Sequence, residues 1–129
     1  VHAGWRGTAS KTVSCAVEKM HMEFGCTPQD ILAGIGPAAG LCCYETNEDV
    51  PHAMEQSFGT TAQKHMEACG EKWHVDMAGL NREALLGCGV LPQNITESGE
   101  CTCCKDDIYW SHRKTDGIRG CMAAIIMLY

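Results

Sequence analysis

Apolar residues recur every three to four positions through Val13, Val17, Met20 and Phe24, and Gly25 follows them. That stripe predicts an amphipathic helix from about Thr8 to Phe24, stopped by the glycine. Thr27-Pro28-Gln29-Asp30 predicts a capped turn, with threonine as the cap, proline first and an acid three residues on. The short apolar run from Ile31 to Ile35 ends in Gly36-Pro37, the pattern of a buried strand feeding a loop. Asn47 to Phe58 predicts a helix capped by Asn47, with Glu48 and Asp49 in the turn where the helix dipole favours acids. Gly59 to Glu71 carries the weakest stripe and reads as partly loop. Trp73-His74-Val75-Asp76 predicts a strand, running into a helix from about Leu80 to Cys88 that ends at Gly87 to Gly89. Asn94–Glu97 and Met122–Leu128 are the remaining strand candidates. Strands and helices are interspersed, so a layered α/β or α+β arrangement is expected.

Composition narrows this picture. A chain of 129 residues is one domain or part of one, and 45% hydrophobic against 20% charged residues makes it globular. Val1-His2 reads as the end of a strand whose earlier residues lie outside the sequence. The longest apolar run, Met122 to Tyr129, is too short to span a bilayer as a helix. The net charge is −6 and the basic residues are dispersed, which disfavours nucleic acid as a partner. Ten cysteines would suggest a disulfide framework in a small secreted protein. Here they accompany long helical stripes, and the adjacent pairs Cys42-Cys43 and Cys103-Cys104 suit ordinary cross-links poorly. Reduced thiols in the cytoplasm, mostly buried as small hydrophobes, are the expectation.

The densest chemical signal is His2-Ala3-Gly4-Trp5-Arg6-Gly7-Thr8. Glycines bracket a tryptophan and an arginine just before a helix, where backbone amides approach ligands and anions are favoured. Arg6 offers a planar fork for phosphate or carboxylate, and His2 is placed to ligate a metal or exchange a proton. A tight strand-to-helix turn with an ordinary histidine explains the same residues. A second loop, Gly34 to Tyr44, combines glycines with Cys42 and Cys43; it lacks a dinucleotide fingerprint and reads as a rigid turn with buried cysteines. Cys101, Cys103 and Cys104, with Cys42 and Cys43, have the ligand chemistry of a structural zinc site, but their spacing matches no two-plus-two zinc ribbon. Arg113, Lys114 and Arg119 suit either phosphate or a solvated turn. His21, His52 and His65 read as surface residues, and His74 as a hydrogen-bonded core residue. Trp5 and Trp110 suit base stacking, though packing is the commoner use of tryptophan.

Taken together, these segments resemble one family. His2 to Thr8 is similar to the H-A-G-W-R-G segment of the laccase-domain, or YfiH, family, and Ile35-Gly36-Pro37 with Cys42-Cys43-Tyr44 resembles its glycine-proline and cysteine-pair loop. Trp73-His74-Val75-Asp76, Asn81, Gly89-Val90, Cys101-Thr102, Ser111-His112-Arg113 and Arg119-Gly120 with Met122-Ala123-Ala124 follow in family order. Ala39 stands where the family usually has isoleucine, and Lys114 where it often has arginine.

The resemblance implies a layered α/β sandwich, with mixed sheets between helices, of which this chain is the C-terminal portion, incomplete at its N-terminal side. It implies purine nucleoside phosphorolysis of adenosine, inosine, guanosine and methylthioadenosine, with adenosine deamination as a second activity. Purine nucleoside and phosphate are then the partners. Arg6 is the expected catalytic residue, with Arg113 and Arg119 as further phosphate contacts. The resemblance also implies a zinc site (copper being the other candidate) of two histidines and a cysteine, of which only His2 maps onto this chain. Copper-dependent polyphenol oxidation is the alternative activity. It needs clustered histidines, and no two of the six here lie within two residues of each other. An inactive fragment lacking the other ligands is the third reading.

Overall fold

The computed structural model describes residues 1–127. Four helices, α1 (Trp5–Ala9), α2 (Thr12–Phe24), α3 (Asp49–Phe58) and α4 (Met77–Gly87), alternate with five short strands. The strands are β1 (Ala33–Ile35), β2 (Glu45–Thr46), β3 (Met66–Cys69), β4 (Lys72–Val75) and β5 (Ile95–Glu97). They form two sheets: a parallel pair β1-β5 and an antiparallel sheet in the order β2-β4-β3. The expected layered α/β arrangement with mixed sheets is present.

Two apolar clusters hold these layers together. The first gathers Val50 and Met54 of α3, Val75 of β4 and Leu80 of α4 with Ala62, Met66 and Met77; Trp5, Ala9, Tyr44, Phe58 and Trp73 pack around it. The second gathers Val17 of α2, Ile31, Leu85 of α4 and Val90, flanked by Val13, Ala33, Ile35 and Ile95. Helix α4 contributes to both, Leu80 to one and Leu85 to the other, so it is the beam between the two sheets. Its N-terminus is fixed by Asp76, whose Oδ1 accepts from the Gly79 amide at 3.0 Å.

Several local expectations are corrected. The helix expected over Thr8–Phe24 is two helices. Lys11 takes a left-handed conformation at φ 54°, and the Ser10 hydroxyl donates to the Gly7 carbonyl, drawing the backbone out of the helical ladder. The C-terminal stop is as expected, with Gly25 left-handed at φ 68°. Neither Thr27 nor Asn47 caps with its side chain; Asn47 instead accepts from the Lys72 ammonium, and the last residue before α3 is Glu48. The helix expected from about Leu80 begins at Met77, because the cap is Asp76. No strand forms over 122–127, and Ile125 and Ile126 are 91% and 95% exposed. β-propensity there finds no backbone partner among the described residues; Leu128 lies outside them. No described helix is long and apolar enough to cross a membrane.

Candidate functional site

The segment after Val1 enters α1 directly, and Thr8 anchors it. Thr8 is buried, its hydroxyl donates to the Ala3 carbonyl at 3.3 Å, and the Asn81 side-chain amide of α4 donates to that same hydroxyl at 3.0 Å. Asn81 also reaches the Met77 carbonyl at 2.7 Å. The His2–Thr8 turn is thus fastened to the central helix, which leaves the exposed side chains of His2 and Arg6 on a fixed frame.

Arg6 lies with its guanidinium carbon 4.3 Å from the centroid of the Trp5 ring, and together with Trp5, Ser10, Gln56 and Ser57 it lines an open groove of about 390 Å³. Arg113, from the far end of the chain, sits 5.0 Å above the Tyr44 ring. Burial raises the Tyr44 phenol above its ordinary value, and the positive charges of Arg113 and Arg6 oppose that rise while Asp49 adds to it. Of the expected phosphate contacts, Arg113 therefore packs on Tyr44, and the charge of Arg6, which lies over Trp5, acts on the same phenol. Arg119 does not join them: its Nη1 donates only to the neighbouring Gly120 carbonyl in an exposed segment. Trp5 packs on the core as a wall for Arg6, while Trp110 is exposed and would meet any side chain added at Gly120.

Among the described residues, His2 belongs to no group of three side chains close enough to share a metal ion. A catalytic zinc takes three protein ligands and an open position. The residues around His2 in this chain do not by themselves fit such a centre.

His65 departs from its expected place on the surface. Its Nδ1 stands 3.6 Å from Asp76 and its Nε2 3.5 Å from Glu83, with only 16% of the side chain exposed. His21 and His52 are exposed as expected, and His74 is the expected hydrogen-bonded residue, donating from Nδ1 to the Leu41 carbonyl at 2.7 Å.

The cysteines bring the largest correction. All ten are free, yet Cys103 alone is buried. Cys42, Cys43, Cys101 and Cys104 present four sulfurs that all lie within 4.8 Å of one another. The parallel pairing of β1 with β5 causes this convergence, because both following loops leave the same end of the sheet and continue zipped. The Ala38 amide donates to Glu100, and the Thr102 amide to Ala38. Tight turns then place the thiols, with the Cys43 and Tyr44 amides donating to Gly40 and the Lys105 amide to Cys101.

Burial works to raise the Cys101 thiol, but amide donors from Gly40, Cys104 and Cys103 outweigh it and bring it down to about 6. The Cys43 thiol goes the other way, chiefly because it shares a hydrogen bond with Cys104. In metal-free, reduced protein at pH 7, Cys101 is mostly thiolate and Cys43 is not. Iodoacetamide should label Cys101 first, with a rate falling below about pH 6; peptide mass spectrometry of timed samples checks the order.

A family described as multi-copper polyphenol oxidoreductase laccase matches residues 1–129. The chain is 33% identical over 126 residues to purine nucleoside phosphorylase YlmD of Geobacillus stearothermophilus, covering 97% of this chain and 46% of that protein. It is 32% identical over 114 residues to adenosine deaminase RL5 of an unknown prokaryotic organism, covering 88% of this chain and 43% of the relative. The crystal structure of YlmD from G. stearothermophilus superposes with a TM-score of 0.87 at 32% identity, over 93% of this chain and 45% of that one. The chain therefore spans under half the length of these relatives.

Proposed function

Since the chain belongs to the multi-copper polyphenol oxidoreductase laccase family, we propose that it serves purine nucleoside phosphorolysis as the C-terminal portion of a single catalytic domain. The carrying observation is that Arg113 packs over Tyr44 while Arg6, from the opposite end of the chain, is near enough for its charge to act on the same phenol. Phosphorolysis needs a dianionic phosphate held beside the sugar. Phosphate oxygen bonds to C1′ as the glycosidic bond breaks, and the departing purine takes up a proton. Two guanidinium groups, Arg6 over Trp5 and Arg113 over Tyr44, supply positive charge for that phosphate. Ser10, Gln56 and Ser57 add hydrogen-bonding groups in the groove beside Arg6. Arg119 is not part of this proposal.

We also propose His2 as one ligand of the family's metal, with its remaining ligands contributed by family sequence this chain does not match. The naming of one relative as an adenosine deaminase supports deamination as a second activity.

The test is chromatographic. With inosine as substrate, hypoxanthine and ribose 1-phosphate should appear only when phosphate is present. Arg6→Ala should raise the KM for phosphate about tenfold or more, the scale of one charge-assisted contact, while the KM for inosine changes little. Copper-dependent phenol oxidation without any base release would reject this reading and favour the oxidase.

A further inference from the structure

We propose that Cys42, Cys43, Cys101 and Cys104 form a closed tetrathiolate site for a structural zinc ion, separate from any centre that includes His2. The geometry is the first reason. Zinc–sulfur bonds of about 2.3 Å at tetrahedral angles place neighbouring sulfurs about 3.8 Å apart. Cys104 Sγ stands 3.6 Å from Cys42 Sγ and 3.6 Å from Cys43 Sγ, and the whole set fits within 4.8 Å. A disulfide would require about 2 Å.

Packing gives the second reason. A cysteine used as a small hydrophobe is normally buried, whereas Cys42 and Cys104 are exposed and Cys43 and Cys101 half-buried. The buried thiol of this region, Cys103, turns away from the cluster to Ser111 Oγ at 3.1 Å. Four polar sulfurs drawn together at the surface from positions 62 apart gain little from burial, and much from a shared soft cation.

The surroundings hold the sulfurs and their loop in place, as the neighbours of thiolate ligands do. The Gly40 amide donates to Cys101 Sγ at 3.3 Å, and His74 fixes Leu41, just before the cysteine pair, through its carbonyl. Four protein ligands leave no open position for water, which marks the site as structural rather than catalytic. Its effect is to tie the loop after β1 to the loop after β5. On binding, each thiol still protonated releases its proton to solvent, and the sulfur lone pairs form the metal bonds; nothing is oxidised.

The whole chain, reduced and stripped with chelator under anaerobic conditions, is titrated with cobalt(II) and then zinc(II). One equivalent of cobalt should give the intense visible bands and sulfur-to-metal charge transfer of a tetrahedral thiolate complex, bleached by one equivalent of zinc. Cys101→Ser and Cys104→Ser should each lower zinc affinity at least a hundredfold. His2→Ala and Cys15→Ser should leave both stoichiometry and spectrum unchanged. The wild-type cobalt spectrum counts thiolates directly, so a variant that fails to fold does not remove the test. An octahedral cobalt spectrum, full affinity in Cys104→Ser, loss of binding in His2→Ala, or no stoichiometric binding would each overturn the proposal. So would loss of two thiols to a Cys104 disulfide in protein purified with zinc present.

Discussion

Leu80→Ala is expected to cost about 2–5 kcal/mol of folding stability, the range for truncating a fully enclosed leucine. Leu80 is 0% exposed and packs in the cluster of Val50, Met54, Ala62, Met66, Val75 and Met77. Its neighbours come from α3, from the β2-β4-β3 sheet and from the segment before it, so no single element can slide in to fill the space. The position also lies on the helix that carries Leu85 into the second cluster, which spreads the loss to both sheets. Leu32→Ala is the matched control: the same atoms are deleted at a site 78% exposed, where a change within about 0.5 kcal/mol is expected. Urea midpoints of the two variants against wild type decide the matter. Equal shifts would mean that the cluster around Leu80 is not the core.

Gly79→Ala sets two rules against each other. Helix propensity alone favours alanine over glycine by about 1 kcal/mol inside a helix. A Cβ at this position, however, would clash with His65 Nδ1 and Asp76 Oδ2. His65 cannot simply retreat, because it lies between Asp76 and Glu83. Asp76 cannot swing away without giving up the cap on α4. Overpacking of this kind costs about 1–3 kcal/mol, so steric conflict wins and the variant should be less stable than wild type. His65→Ala in the same background should recover part of the loss, and a thermal-denaturation double-mutant cycle measures the coupling. A stabilised Gly79→Ala would show that the imidazole does not occupy this position.

The amphipathic stripes and terminal glycines made most of the elements legible in the sequence. The run from Val13 to Phe24 with Gly25, and the strand before Asp76, needed only local information, and the structure has both. The break at Lys11 was not legible, because the apolar stripe that implies one continuous helix is kept on the far side of it. Capping failed at Asn47 for a non-local reason: a lysine in β4 claims the side chain that would otherwise cap. At the candidate site, Arg6 and Arg113 were legible as anion-binding residue types, but the packing of Arg113 on Tyr44, within reach of the Arg6 charge, is set by tertiary folding. The cysteines are the sharpest case. Their spacing fits no linear zinc motif, since two come as neighbours in one loop and two as a Cys-x-x-Cys pair in another. Only the register of β1 against β5 makes them a set.

That register also sets a timetable for the folding reaction. The β3-β4 hairpin closes over Gly70 and Glu71, within reach of a few residues' diffusion. Ala33 and Ile95 must instead find each other across about sixty intervening residues, and parallel pairing at that separation is slow to nucleate. Until it succeeds, Cys42 and Cys104 belong to distant parts of the coil, and their approach reports completion of this pairing. Cross-linking between these two thiols during refolding would therefore act as a clock: its onset should lag the far-ultraviolet signal of helix formation and coincide with closure of the β1-β5 pair.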